Sequence, residues 1–183
     1  MSAVRRRPGR TRTIGVAVPV PPPWAAELQG WRESFGDPQA ANIPTHVTLL
    51  PPTKIEDREL PGVEKHLRKI AEDEQMFTMG LAGTASFAPV SPVVFVRLGE
   101  GRAECTRIEE KVRSGPLHRP VDFAYHPHVT IAHDLPPGVL EQARLALADY
   151  AASFEVDSFG LYEHIDGVWY AIRKFDFLPP CPV

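Results

Sequence analysis

The chain has 183 residues, 43% hydrophobic and 23% charged, a balance that excludes both an intrinsically disordered protein and a membrane-embedded one. At this size roughly 70% of the unfolded surface can be buried, so a core forms without disulfides, metal or an obligate partner, and one domain is expected. The net charge of -3 hides an asymmetry: Arg5, Arg6, Arg7, Arg10 and Arg12 fall in the first dozen positions, leaving 15 basic against 23 acidic residues in the remainder.

Residues 1–12 therefore read as a basic disordered tail and 13–183 as a single domain of two pseudo-symmetric lobes. The tail is either a solvated arm or a contact for nucleic-acid phosphates. It is followed by the apolar run Ile14 to Val20, which is too short and too soon broken by proline to be a secretory signal. No segment approaches the length of a membrane span. Cys105 and Cys181 stand alone, with no Cys-x-x-Cys pair, so a zinc ribbon or a disulfide framework is not indicated and a reducing cytoplasm is expected. Nothing in the sequence calls for an oligomer, and a monomer is the expectation.

Thr13 to Val20 is β-branched and predicts the first strand. Pro22 and Pro23 suit a helix start, and Trp24, Leu28, Trp31 and Phe35 make one apolar stripe that ends at Gly36. Thr45 to Leu50 reads as a strand stopped by Pro51 and Pro52. Leu60, Val63, Leu67 and Ile70 mark a second helix, and Phe77 to Phe87 with Val93 to Leu98 a hairpin. From Gly101 the order restarts. Cys105, Ile108 and Val112 stripe a third helix, His128 to Ala132 is a strand, and Val139, Ala143, Ala146 and Tyr150 stripe a fourth helix. A last hairpin runs from Phe154 to Tyr162 and from Val168 to Phe177, turning near Asp166-Gly167.

This is the pattern of a diverged duplication. Ser86-Phe87 matches Ser158-Phe159, and Val94-Phe95-Val96-Arg97 matches Tyr170-Ala171-Ile172-Arg173. Hairpins alternating with helices predict an α+β fold with two mostly antiparallel sheets, one per lobe, around a central cleft.

The tripeptide His-Val-Thr occurs twice, at His46-Val47-Thr48 and His128-Val129-Thr130, each time opening a short apolar strand at the same station of its half. With a side-chain period of two, His46 and Thr48 share one face, as do His128 and Thr130, while the valines take the other. If the apolar faces pack on helices, two imidazoles and two hydroxyls meet in the cleft. A pair of imidazoles with ordinary pKa near 6.5 supplies a base and an acid in one turnover, which suits in-line displacement at phosphorus. The threonine hydroxyls can donate to the non-bridging oxygens where charge builds.

Two His-x-Thr strands about eighty residues apart resemble the 2H phosphoesterase superfamily, especially its 2'-5' RNA ligase, or LigT-like, branch. The resemblance extends in element order from Thr13 to Leu178. It implies a bilobal fold, no metal or other cofactor, and hydrolysis of 2',3'-cyclic phosphates on RNA ends or nucleotides to 2'-phosphates, with reversible 2'-5' RNA joining in some members. His46 would be the proton donor and His128 the acceptor. The sequence departs from the best-known bacterial members after the motifs, with Leu49-Leu50-Pro51-Pro52 and Ala132-His133-Asp134, which leaves the substrate open. A cyclic phosphate of an ADP-ribose derivative is one alternative, and a non-catalytic module that grips RNA ends or nucleotides is another.

The remaining histidines read differently. His66, His118 and His164 are expected to be structural. His126 and His133 flank the second motif, but an odd spacing turns His133 away from His128 in a regular strand, and no metal-ligand spacing is present. Trp169 and Tyr170 could stack on a base, although alternation sends one of the two into the core. Arg97 and Arg173, at matching positions, could meet phosphate or simply cover apolar surface. No P-loop or adenylating Lys-x-Asp-Gly occurs, so any ligation would be ATP-independent.

Overall fold

The computed structural model describes residues 9–120 and 123–179. Among these residues eight strands and four α-helices follow in the order β1 (Thr11–Pro19), α1 (Trp24–Ser34), β2 (His46–Glu56), α2 (Leu60–Glu72), β3 (Phe77–Ser86), β4 (Val93–Leu98), α3 (Arg102–Val112), β5 (His128–His133), α4 (Pro137–Ala146), β6 (Ala151–Val156), β7 (Ser158–Ile165) and β8 (Val168–Asp176). Helices α2 and α3 form where their apolar stripes lie, with Val63, Leu67 and Ile70 of α2 and Cys105, Ile108 and Val112 of α3 buried, whereas α4 stops at Ala146, short of Tyr150, and buries Ala143 but not Ala146. The turn at Asp166-Gly167 has φ of 50° and 84°, the doubly left-handed pair that a two-residue hairpin needs and that Asp-Gly tolerates.

The fold is α+β, but its strands form one sheet rather than two. The order is β6-β3-β4-β5-β2-β1-β7-β8, with every pairing between these strands antiparallel. Two groups of four meet at the centre through a single register pair, Val47 with Val129. That contact joins what would otherwise be two inner edges, each with unpaired backbone groups.

Strand order also redraws the repeat. Reading outward from the centre, β5 is followed by β4 and β3, and β2 by β1 and β7. The second unit thus begins at β4, not at Gly101; the first unit lends β3 to the other's side of the sheet and the second lends β7 and β8. Arg97 on β4 lies one strand from the centre, opposite His128, whereas Arg173 lies on the edge strand β8 and pairs with Glu64 at 3.3 Å. The two arginines are therefore not equivalent, and the matched tetrapeptides reflect similar composition rather than the same station.

Three boundaries differ from expectation for identifiable reasons. Strand β1 starts at Thr11, and Arg12 is held by Asp57 at 2.9 Å and Glu163 at 3.4 Å, so the end of the basic segment is part of the sheet. The rest of that segment up to Pro8 lies outside the described residues, as does Cys181. Strand β2 continues through Pro51 and Pro52 to Glu56. Beyond Val47 it pairs only with β1, and the prolines fall where its register against Gly15 is irregular, so no ladder donor is missed. Finally, Phe154 to Tyr162 is two strands broken at Asp157: β6 pairs with β3 and β7 with β1, on opposite sides of the sheet.

The core is continuous, with Val16, Leu28, Val47, Leu49, Leu67, Ile108, Val129, Ile131 and Phe159 all fully buried. Helices α1 and α4 pack against β5, and α3 packs against β2. Cys105 belongs to this core, where burial pushes its thiol up to about 12, out of reach of thiolate chemistry.

Candidate active site

The site sits on the central pair of strands. Antiparallel alternation about Val47 and Val129 sets His46 opposite Thr130 and Thr48 opposite His128, all four on the face that the buried valines do not use. Opposite residues in such a pair have Cβ atoms about 5 Å apart and diagonal ones about 7–8 Å, so the two histidines occupy one diagonal of a small square and the threonines the other.

Each histidine is oriented by the same local bond. Nδ1 of His46 lies 2.7 Å from the carbonyl oxygen of Pro44, and Nδ1 of His128 lies 2.7 Å from that of His126. A carbonyl oxygen only accepts, so Nδ1 carries the proton in both rings. The neutral ring then keeps a lone pair on Nε2, the atom free to exchange protons. In His46 that nitrogen is 3.1 Å from the hydroxyl of Thr48. The repeat of this bond in two units is local symmetry written into the chain: the carbonyl two residues upstream fixes the tautomer.

The surroundings of the rings differ. His46 stacks on Trp169, with ring centroids 4.9 Å apart and planes 29° apart, whereas His128 meets Phe87 edge-on at 4.9 Å and Phe95 at 5.1 Å. Burial lowers both pKa values. It draws His46 down to about 4, the nearby Arg32 and His128 adding repulsion, and it lowers His128 as well. Both rings are therefore neutral at pH 7 in the free protein.

These shifts have a consequence for stability. A histidine whose pKa is lower when folded binds fewer protons in the native state than in the unfolded chain, so its contribution is complete above about pH 6.5 and is lost as the pH falls toward 4. Thermal melts are expected to show the wild-type midpoint falling more steeply across this window than that of His46→Gln. Parallel slopes would mean that His46 titrates like a free histidine.

His46 and Thr130 line one cleft of about 220 Å³ together with Arg32, Asp37, Trp169, His133 and His164. The last two correct the sequence reading. His133 faces the cleft because β5 carries a bulge: Phe95 pairs with Thr130 but Val94 with Ala132, so one extra residue is inserted and the parity flips. Consecutive burial of Ile131 and Ala132 is the trace of that flip, and Leu49 and Leu50 repeat it in β2, where Ala17 pairs with Thr48 but Val16 with Leu50. His164 enters from β7, a strand that only the tertiary fold brings here. His66 is structural, its Nε2 within 3.1 Å of the Lys111 carbonyl. Of the adjacent aromatics, Trp169 lines the cleft and Tyr170 is exposed.

Arg32 and Asp37 carry no sequence signal. Both are buried, joined at 2.9 Å, and Arg32 also donates to the Ile43 carbonyl at 2.5 Å. They tie the end of α1 to the loop that delivers His46. Among the described residues no three His, Cys, Asp or Glu side chains come together in a metal-binding group.

A fold of this order with paired His-x-Thr strands at its centre defines a class of phosphoesterase. A model of the 2'-5' RNA ligase superfamily matches residues 19–167, and the chain belongs to that superfamily, the LigT-like branch of the 2H phosphoesterases. It is 33% identical over 142 residues to a Bacillus licheniformis protein named as a phosphoesterase, covering 76% of this chain and 83% of the relative. A Bacillus thuringiensis protein with the same kind of name is 31% identical over 152 residues, covering 81% of this chain and 87% of the other. The fold matches Escherichia coli LigT with a TM-score of 0.67 at 18% identity, and TT0787 of Thermus thermophilus with 0.67 at 22%, each covering 92% of this chain and 99% of the other. LigT has been crystallised with 3'-AMP and with phosphate. Among the described residues no helix is long and apolar enough to cross a membrane.

Proposed function

We propose that the protein hydrolyses 2',3'-cyclic phosphates on RNA ends or nucleotides to 2'-phosphates by paired-histidine acid-base catalysis. The observation that carries this reading is the square of His46, Thr48, His128 and Thr130, with both imidazoles oriented through Nδ1 so that Nε2 is the proton-exchanging nitrogen of each, that of His46 beside the Thr48 hydroxyl. His128 takes a proton from the attacking water as its oxygen bonds to phosphorus. The bond from phosphorus to the ribose 3' oxygen breaks, and His46 supplies the proton that this oxygen needs. Thr48 and Thr130 donate to the non-bridging oxygens as negative charge builds there.

Since His46 is neutral when free, it takes up its proton together with the anionic phosphate, whose charge offsets the repulsion from Arg32. With an RNA 5'-hydroxyl in place of water as the attacking group, the same forward displacement, in which the bond to the 3' oxygen again breaks, gives 2'-5' joining without ATP. The likeness of the fold to LigT, crystallised with 3'-AMP, supports a nucleotide in the cleft. The isolated cysteines suit a reducing compartment, and the protein is read as a cytoplasmic monomer.

The test uses purified protein in excess EDTA with three substrates: an oligonucleotide ending in a cyclic phosphate, a cyclic mononucleotide and an ADP-ribose cyclic phosphate. Release of a 2'-phosphate is the expected product, and the ranking of the three names the substrate. Binding of all three without turnover would make the protein a phosphate-gripping module instead.

A further inference from the structure

The two histidines are supported unequally, and the support of His46 is the more elaborate. Its ring lies on the indole of Trp169 at 4.9 Å. That indole is held from three sides. Gly15 on β1 leaves it room, because a Cβ there would come within 2.9 Å of Trp169 Cη2. Tyr162 on β7 packs against it with centroids 5.4 Å apart, and Tyr162 in turn lies over Gly160, where a Cβ would meet it at 2.7 Å. The Trp169 backbone N–H donates to the Asn42 carbonyl at 3.0 Å, pinning β8 to the loop that leads into His46. Two glycines and a tyrosine thus make the seat for one indole, and the indole faces one imidazole.

A packing role alone does not account for tryptophan here. Its Nε1–H is buried without a hydrogen-bond partner among the described residues, and leaving such a donor unmet has a cost that phenylalanine would avoid. What the indole adds is a broad flat face at the edge of a cleft that His46 and Thr130 also line.

We propose that Trp169 is a positioning residue whose indole fixes the ring plane of His46 and closes one face of that ring to water. This rests on reading His46 as a proton-transfer residue, yet it concerns the free protein and can be tested without turnover. Arg32 of α1, Asp37 of the following loop, His133 of β5 and His164 of β7 line the same cleft, His128 of β5 adds repulsion to His46, and a Trp169 variant changes the chemistry of none of these groups.

The experiment is a proton NMR titration of the histidine ring signals in the wild type, Trp169→Leu and Trp169→Phe, with circular dichroism to establish that each variant is folded. In Trp169→Leu, which fills space without a flat face, the His46 midpoint is expected to move up toward the ordinary value near 6.5 while that of His128 stays. Trp169→Phe, which keeps a ring face, should stay close to wild type. Where turnover is measurable, Trp169→Leu should lower kcat about 10- to 100-fold with little change in KM, the size expected from misplacing a reacting group. An unmoved His46 midpoint in folded Trp169→Leu would overturn the proposal. So would equal movement of both histidines, which would mark general loosening. If the wild type turns over no cyclic phosphate but the selective shift of His46 is present, the functional reading fails and the positioning role stands.

Discussion

His46→Ala and His128→Ala are each expected to slow cyclic phosphate hydrolysis by about 10² to 10⁴, the contribution typical of a positioned acid or base. The loss should appear in kcat rather than KM, because the imidazoles act on protons in flight while the threonines and the cleft walls hold the phosphate. Removing both rings should cost far less than the product of the two single losses. The pair works as a unit, and once one proton has no route the other transfer gains little. Single-turnover rates with a cyclic mononucleotide measure this. Wild-type rates in either variant would remove that histidine from the reaction. Neither substitution should unfold the protein, since both rings sit at the rim of the core and their valine neighbours carry the packing.

Asp37→Ala is expected to be the most destabilising single change near the site. Asp37 and Arg32 are both buried and bonded at 2.9 Å, and Asp37 also accepts from the Gln39 N–H at 2.9 Å. Truncating the carboxylate strands a guanidinium in the interior, a change that typically costs about 3–5 kcal/mol. Chemical denaturation should show the loss as a lower midpoint at unchanged slope. Arg32→Met, Asp37→Leu together should recover much of it, because a buried pair replaced by apolar groups of similar size leaves no charge unpaired. The double variant should nevertheless stay catalytically impaired: Arg32 bonds the Ile43 carbonyl, three residues before His46, and that tether would be gone. Equal stability of Asp37→Ala and wild type would mean that the pair contributes nothing to holding this loop.

The primary sequence determined most of the elements and which side chains share a face on the two central strands. Helical stripes such as Val63, Leu67 and Ile70 were legible because a period near four leaves one face to bury, and the Asp166-Gly167 turn because few residue pairs tolerate two left-handed conformations in succession. The paired His-Val-Thr strands were legible because alternation makes His and Thr share a face whatever the strand pairs with. Each of these features is local, set by residues within a few positions of one another.

Long-range pairing was decided only by the tertiary structure. Nothing within Phe154 to Tyr162 tells that β6 and β7 belong to opposite sides of the sheet, since a strand's partner depends on which edge is free when it arrives. The bulge that turns His133 into the cleft exists because β4 and β5 differ by one residue across it, a property of the pair and not of either strand. Arg32, Asp37, His164 and Trp169 came to the site from α1, its following loop, β7 and β8, and no spacing links them. Their lining of one cleft is a property of the assembled sheet, in which side chains more than a hundred positions apart become neighbours once the eight strands have paired.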